Sequence, residues 1–131
     1  MMTKTTNEDI DILTRTLYGE ARGESDAGVQ AVANVIKNRA GLTKSIKSVC
    51  LKPYQFSCWN EGDPNKSIIT NLSVQDTTYQ RCFNIAKRVV NGSLTDNTNG
   101  ANHYHTSNIK PYWADDTKIT AIIGHHIFYK L

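Results

Sequence analysis

Three short segments of the 131-residue chain carry side chains that could perform chemistry on a polar substrate. The first is Tyr18-Gly19-Glu20-Ala21-Arg22-Gly23-Glu24, in which Glu20 falls near the end of an apolar helical pattern. A carboxyl group held against apolar surface favours its protonated form, so Glu20 is a candidate general acid. An ordinary exposed charge at a helix end is the alternative interpretation. Glu24 is explained as an acidic residue in the first turn of a second helix.

The second segment, Tyr54-Gln55-Phe56-Ser57-Cys58-Trp59-Asn60, interleaves aromatic rings with amide and hydroxyl groups. Aromatic rings stack on sugar faces and amides bond sugar hydroxyls, so this composition suits a sugar-binding cleft. The candidate substrate-binding residues in it are Gln55, Phe56, Ser57 and Trp59. The alternative is that Phe56 and Trp59 simply fix an irregular loop to the core.

The third segment is His103-Tyr104-His105. On a strand, His103 and His105 share one face and Tyr104 points to the other. The histidines could be cleft groups, metal ligands or ordinary half-buried side chains. Trp113 follows as a further ring, and we expect the aromatic and histidine side chains to meet in one groove near Glu20. The predicted groove residues are Phe56, Trp59, His103, Tyr104, His105 and Trp113.

Helical periodicity predicts three long helices that would position these segments. The first covers residues 8–22 with Asn7 as its cap, and the second is capped by Ser25 or Asp26 and ends at Gly41. An aperiodic stretch, 42–72, contains a helical turn near 45–49 and many turn residues. The third helix begins at Ser73, with Asp76 as capping-box partner, and ends at Gly92.

Short strands are predicted over 101–105, 119–123 and 126–129. The predicted fold class is therefore α+β, a mainly helical single domain with a small antiparallel sheet at its C-terminal end. We expect one catalytic domain over residues 1–131, with residues 1–7 as a flexible N-terminus.

Composition narrows the class of protein further. Hydrophobic residues make up 39% and charged residues 21% of the chain, which is typical of a globular domain. The formal charge of +3 is too small to indicate a nucleic-acid partner. No apolar run reaches the roughly 20 residues of a membrane span, so no stable membrane insertion is expected. Cysteines 50, 58 and 82 lack metal-site spacing and are interpreted as reduced, and we expect a monomer without a cofactor or metal.

Taken in order, these segments resemble the cell-wall hydrolase family of the spore cortex-lytic enzyme type, in the compact form common in phages and Gram-negative bacteria. The resemblance covers about residues 10–131. The matching residues are Tyr18-Gly19-Glu20-Ala21-Arg22-Gly23-Glu24, Val35-Ile36-Lys37-Asn38-Arg39, Gln55-Phe56-Ser57, His103-Tyr104-His105, Pro111, Trp113-Ala114, Ile123-Gly124, His126 and Phe128-Tyr129.

The resemblance implies a lysozyme-like fold and cleavage of peptidoglycan glycan strands by a lytic transglycosylase. It places Glu20 at the position of the family's catalytic glutamate, as general acid and then base on the MurNAc-GlcNAc bond. The chain offers no convincing second carboxylate, which hydrolytic glycosidases need. The other candidates lie in turn-forming sequence and are Glu61, Asp63, Asp96, Asp115 and Asp116.

No signal peptide or wall-binding domain is recognised in the sequence, which leads us to expect a phage or prophage endolysin. It would be made in the host cytoplasm and act on the wall in the periplasm or after lysis, with holin-dependent release. One alternative is a zinc-dependent N-acetylmuramoyl-L-alanine amidase or peptidase that uses His103, His105 and either His126 or Glu20. Another is a non-catalytic glycan-binding module built on Phe56, Trp59 and Trp113.

Overall fold

A computed structural model of the chain describes residues 4–131. The helices precede the sheet along the chain, which confirms the predicted fold class. The elements are α1 (Asn7–Ala21), α2 (Asp26–Ala40), α3 (Ile46–Leu51), α4 (Pro64–Thr70), α5 (Thr77–Val90), β1 (His103–Thr106), β2 (Ile119–Ile123) and β3 (His126–Tyr129). Within residues 4–131, no helix is long and apolar enough to cross a membrane.

Helix α1 begins one residue earlier than the sequence analysis predicts. Thr6, not Asn7, is the cap: its hydroxyl accepts a hydrogen bond from the Asp9 N–H at 3.1 Å, and the Asp9 carboxylate accepts one from the Thr6 N–H at 2.9 Å. This reciprocal capping box satisfies donors at the helix start. The ordered start therefore lies inside the segment 1–7 that was expected to be flexible, of which residues 1–3 lie outside the described part of the chain.

The predicted aperiodic stretch contains two short helices, α3 and α4. The turn near 45–49 is part of α3, whereas α4 was missed because seven residues give too little periodicity to recognise. The sequence features that mark α4 are local, because Asp63 caps the helix and Pro64 occupies its first turn. Helix α5 begins after Asp76, whose carboxylate accepts the Tyr79 N–H at 2.9 Å, so the predicted start at Ser73 is wrong.

The main core lies among α1, α2 and α5, with α3 packed against α1 and α2. Cys50, Cys58 and Cys82 are all buried in it as free thiols. A smaller cluster lies where the sheet meets α2. Tyr104 packs against both clusters and so joins them. The largest fully buried side chains of the main core include Leu13, Leu17, Val29, Val32, Ile36, Phe56, Ile69 and Val89.

The three strands form an antiparallel sheet in the order β1-β3-β2. Tyr104 pairs with Phe128 and Thr106 pairs with His126, so these four side chains share one face of the sheet. The other face carries His103 opposite Tyr129 and His105 opposite Ile127. The sheet therefore separates Tyr104 from the two histidines beside it in sequence.

Glu24 connects the start of α2 to the turn between β2 and β3. Its carboxylate accepts the His125 backbone N–H at 2.9 Å and pairs with the His125 ring Nδ1 at 2.8 Å. Gly124 has φ +57°, and a Cβ there would lie 2.7 Å from the Glu24 Oε1. Since Ser25 caps α2 and Glu24 precedes that cap, the expectation that Glu24 is a first-turn acid is wrong.

We expect this contact to stabilise the fold within a limited pH window. Burial by itself would raise the pKa of Glu24, but hydrogen bonds from the ring and backbone of His125 outweigh it and hold the pKa below its ordinary 4.5. The same hydrogen bond and the charge of Glu24 raise the pKa of His125 above 6.5. Stability from Glu24 is lost as pH falls through its lowered pKa, and stability from His125 is lost as pH rises through its raised pKa.

Glu24→Gln should therefore lower the melting temperature most between about pH 4.5 and 6.5, and less at lower or higher pH. Calorimetry across this pH range measures the decrease. His126 also faces Glu24, with Nδ1 3.6 Å from Oε1, but burial lowers its pKa, which is opposite to the shift of His125. Glu8→Gln is the control, because Glu8 pairs with a lysine, Lys47, and not with a histidine. An equal loss for Glu24→Gln from pH 4 to pH 8 would contradict the assignment.

Candidate active site

Glu20 lies in the last turn of α1 and is held by two hydrogen-bond donors. The Tyr104 hydroxyl donates to its Oε1 at 3.1 Å, and the Cys58 backbone N–H donates to its Oε2 at 3.3 Å. The three groups come from α1, from β1 and from the loop after α3. A half-buried carboxylate with one donor on each oxygen has a fixed orientation and retains free lone pairs for a substrate.

The close approach of the loop to Glu20 depends on Gly19. A Cβ at this position would lie 2.6 Å from the Cys58 Cβ and 2.8 Å from its Sγ, closer than real Cβ atoms pack. The absence of a side chain therefore lets the 3-10 turn Ser57–Trp59 reach the surface of α1. The Trp59 indole N–H secures this turn by donating to the buried Thr16 hydroxyl at 2.9 Å.

Tyr104 is suited to remain a donor. Burial of the phenol, the charge of Glu20 and the hydrogen bond to it all raise the pKa of Tyr104 well above its ordinary value. The ring packs against His126 and Phe128, at centroid distances of 5.0 and 5.7 Å. Because the hydroxyl stays protonated, it holds the Glu20 carboxylate in place over the whole physiological pH range.

Arg39, from the last turn of α2, joins the two segments that bracket the site. Its Nε donates to the Asn102 carbonyl at 2.6 Å and its Nη1 donates to the Gln55 side chain at 3.2 Å. The guanidinium also lies over the Phe56 ring, 5.5 Å from its centroid. Burial lowers the pKa of Arg39, and the nearby Tyr104 opposes this effect, but a guanidinium remains charged near neutral pH.

A groove of about 840 Å³ runs from this region along α3. Glu20 is not among its lining residues. The loop joins the groove to the carboxylate, because Gln55 precedes Cys58 by three residues, whereas His103 lines the groove from the face of the sheet opposite Tyr104. The side chains lining the groove include those of Arg39, Lys44, Lys52, Gln55, Asn102 and His103.

The predicted residues of the second segment divide into two groups. Gln55 and Ser57 are exposed, and Gln55 lines the groove. Phe56 is only 2% exposed, so its predicted role in stacking on a sugar is wrong: it belongs to the core and supports Arg39 from beneath. Trp59 is half-buried and anchored to α1, so it fixes the loop as the alternative interpretation proposed.

The predicted pair of histidines packs around Trp113, with ring centroids 5.0 Å from His103 and 5.7 Å from His105. His105 is nearly buried and bonds the Tyr129 hydroxyl and the Thr106 carbonyl, both at 2.7 Å. With both ring nitrogens occupied, His105 has a structural role and its predicted substrate contact is corrected. His103 lines the groove, and burial together with Arg39 lowers its pKa.

The predicted single groove is thus only partly formed. Tyr104 reaches Glu20, but His105 and Trp113 meet on the other face of the sheet. The same division separates His126 from His103 and His105, which removes the arrangement needed for the alternative zinc site. Between residues 4 and 131, no three His, Cys, Asp or Glu side chains are grouped so that they could hold a metal ion.

Sequence reasoning missed several features of the site. The Cys58 backbone N–H leaves no signal in the sequence, and Arg39 was noted only as part of a matching segment. Lys44 and Lys52 lie just outside the two ends of α3, where no sequence pattern marks them as lining a groove. Tyr54, which precedes the groove residue Gln55 in sequence, is 87% exposed and has φ +63°, an unusual conformation for a non-glycine residue.

Comparison with known proteins identifies the family. A family model described as Cell Wall Hydrolase matches residues 23–129, so the chain belongs to the cell wall hydrolase family. Glu20 precedes the matched residues. Over 59 residues the chain is 39% identical to the spore cortex-lytic enzyme of Bacillus subtilis (strain 168), a match that covers 43% of this chain and 19% of that protein. The chain thus spans about a fifth of the length of this curated relative.

Two solved structures share the fold. One is the catalytic domain of the germination-specific lytic transglycosylase SleB from Bacillus anthracis, with 25% identity and a TM-score of 0.75 over 99% of this chain and 100% of that one. The other is the catalytic domain of the Bacillus cereus SleB protein, with 26% identity and a TM-score of 0.77 over 98% and 94%. The predicted family and the prediction of a cell-wall-degrading enzyme are confirmed.

The role of Gly19 can be tested by adding one methyl group. Gly19→Ala should lower the free energy of unfolding by about 1–3 kcal/mol, because the new Cβ overlaps the Cys58 side chain. It should also reduce activity on purified sacculi, since the loop must move away from Glu20. Gly23→Ala is the matched control: a Cβ there has nothing within 4 Å, so stability should change by less than about 0.5 kcal/mol. Equal urea-unfolding midpoints for the two variants would contradict this account.

Proposed function

We propose that this chain is a lytic transglycosylase that cleaves the MurNAc-GlcNAc bond of peptidoglycan, with Glu20 as the single acid and base. The observation that carries the proposal is the Glu20 carboxylate, fixed by Tyr104 and by the N–H of Cys58, in a loop whose Gln55 lines an open groove. The similarity to SleB catalytic domains over nearly the whole chain supports the reaction class.

The proposed reaction has two proton transfers. Protonated Glu20 gives its proton to the glycosidic oxygen as the bond to C1 of the muramic acid breaks. The resulting carboxylate then removes the proton from the O6 hydroxyl of the same sugar while O6 bonds to C1. The products are a free GlcNAc hydroxyl and a 1,6-anhydro-muramic end, and no water is consumed. The two donors to Glu20 stabilise the carboxylate that exists between these transfers.

The other carboxylates support a mechanism with one acid. Each of them is held in a structural contact, whereas hydrolytic glycosidases need a second carboxyl group across the cleft. Asp9, Asp63, Asp76 and Asp115 cap helices. Asp96 accepts hydrogen bonds from Asn38, Thr98 and Gly100. The remaining acidic residues pair with cationic side chains and are Glu8, Asp11, Glu24, Asp26, Glu61 and Asp116.

A finer part of the proposal concerns the biological setting. We propose that the enzyme is a monomeric phage or prophage endolysin, made in the host cytoplasm and released to the wall by a holin. It is supported by the resemblance to the compact phage members of the family, which is an argument by analogy. Expression in a bacterial host should cause lysis only when a holin is co-expressed; lysis without one would contradict the proposed route of release.

Product analysis tests the reaction itself. The wild-type enzyme should release muropeptides with 1,6-anhydro-muramic ends, as mass spectrometry of digested sacculi can show. Glu20→Gln should abolish this activity and leave the melting temperature nearly unchanged, because it keeps the shape but removes the transferable proton. Glu61→Gln, an exposed carboxylate paired with Lys66, should retain activity. Reducing ends or free stem peptides in place of anhydro ends would contradict the proposal.

Tyr104 is a positioning residue, and its role predicts a particular kinetic change. Tyr104→Phe keeps the ring but removes the donor to Glu20, so kcat should fall about tenfold or more while KM changes by less than about twofold. Tyr129→Phe is the matched control, since it removes a hydroxyl bonded to His105 on the opposite face of the sheet. A parallel loss in both variants would show that Tyr104 matters only for the fold.

A further inference from the structure

The groove beside the site carries three cationic side chains, those of Arg39, Lys44 and Lys52, and no carboxylate. We propose that it binds the free carboxylates of the stem peptide attached to the muramic acid, so that the enzyme prefers peptide-bearing to peptide-free glycan. This inference rests on the proposed function, and it adds the chemical class of substrate that the groove selects.

The two lysines are free to bind a ligand. Within residues 4–131, the ammonium groups of Lys44 and Lys52 make no hydrogen bond or ion pair, and both side chains are exposed. Other lysines of the chain are occupied: Lys47 pairs with Glu8 and Lys66 pairs with Glu61. Unpaired cations gathered along one groove create a positive potential that attracts an anion.

The positions of these lysines form a track along α3. Ser48 lies in α3, Lys44 precedes its cap Ser45, and Lys52 follows its last residue, and all three side chains line the same groove. Arg39 stands at the end near Gln55, fixed by its bonds to Asn102 and Gln55. The track therefore begins with a rigid charge beside the site and continues with two flexible ones.

The spacing suits a peptide attached to the sugar being cleaved. Gln55 is three residues from Cys58, whose N–H bonds Glu20, so the groove begins at most roughly 10 Å along the chain from a residue that holds the carboxylate. The stem peptide branches from O3 of the muramic acid through a lactyl group and carries free carboxylates along its length. The glycan itself is uncharged where it bears a peptide at every muramic acid. Charge in the groove can therefore distinguish the peptide but not the sugar chain.

A binding experiment with inactive protein tests this inference separately from catalysis. The Glu20→Gln protein is sedimented with sacculi freed of wall polymers, either intact or with their stem-peptide carboxylates converted to amides by carbodiimide and ammonia, and with sacculi that retain those polymers. Lys44→Gln and Lys52→Gln are added to this background, singly and together. Lys118→Gln is the control, because Lys118 lies just before β2, the strand farthest from β1 in the sheet.

We expect the double lysine variant to bind intact sacculi about threefold to tenfold more weakly than its parent, with the difference reduced at high salt. Binding to amidated sacculi should be the same for all variants, and Lys118→Gln should behave as the parent. Equal weakening on intact and amidated sacculi, or no weakening on either, would overturn the inference. Weakening seen only on sacculi that retain phosphate-rich wall polymers would overturn it as well, and would identify those polymers as the ligand.

The binding experiment and the product analysis can fail independently of each other. If the wild-type enzyme produces no anhydro ends but the lysine variants lose peptide-dependent binding, the groove is confirmed and the reaction is wrong. If anhydro ends form and the lysine variants bind both kinds of sacculi like the parent, the reaction stands and the groove assignment is wrong.

Discussion

The contact between Gly19 and Cys58 sets the geometry on which the site depends. Because Gly19 has no Cβ, the 3-10 turn can pack directly on α1, and this packing aims the Cys58 N–H at Glu20. The Trp59 bond to Thr16 and the burial of Phe56 then hold the same loop in place. The aromatic residues of the loop thus mainly fix a backbone donor, which explains why their sequence pattern resembles a binding site while their side chains are largely inside.

The sheet separates the functional side chains onto its two faces. Its alternation sends Tyr104 towards the helices and Glu20, and sends His103 and His105 to the opposite face around Trp113. The four-residue strand β1 therefore serves both the carboxylate on one face and the aromatic packing around Trp113 on the other. Glu24 adds to this arrangement by holding the β2–β3 turn against α2, which steadies β3 and with it Phe128 under Tyr104.

Much of the fold followed from the sequence because periodicity and cap residues act locally. The long helices, the three strands and the glutamate at the end of α1 were all within reach of these rules. The errors arose where two local signals competed, as at Thr6 and Asn7, or where an element was too short for its period to show, as in α4. The site was harder to predict because its geometry depends on contacts distant in sequence: Cys58 lies 38 residues from Glu20 and Tyr104 lies 84 residues from it.

The three buried cysteines have a consequence for the chemical environments that the enzyme tolerates. Burial raises the pKa of Cys50 to about 12 and that of Cys82 to about 11, and burial and the nearby Glu20 raise the pKa of Cys58 further still. Near neutral pH almost none of these groups is a thiolate, the form that reacts with oxidants and disulfides. The folded enzyme should therefore pass from a reducing to an oxidising compartment without forming a mixed disulfide or a crosslink beside its carboxylate.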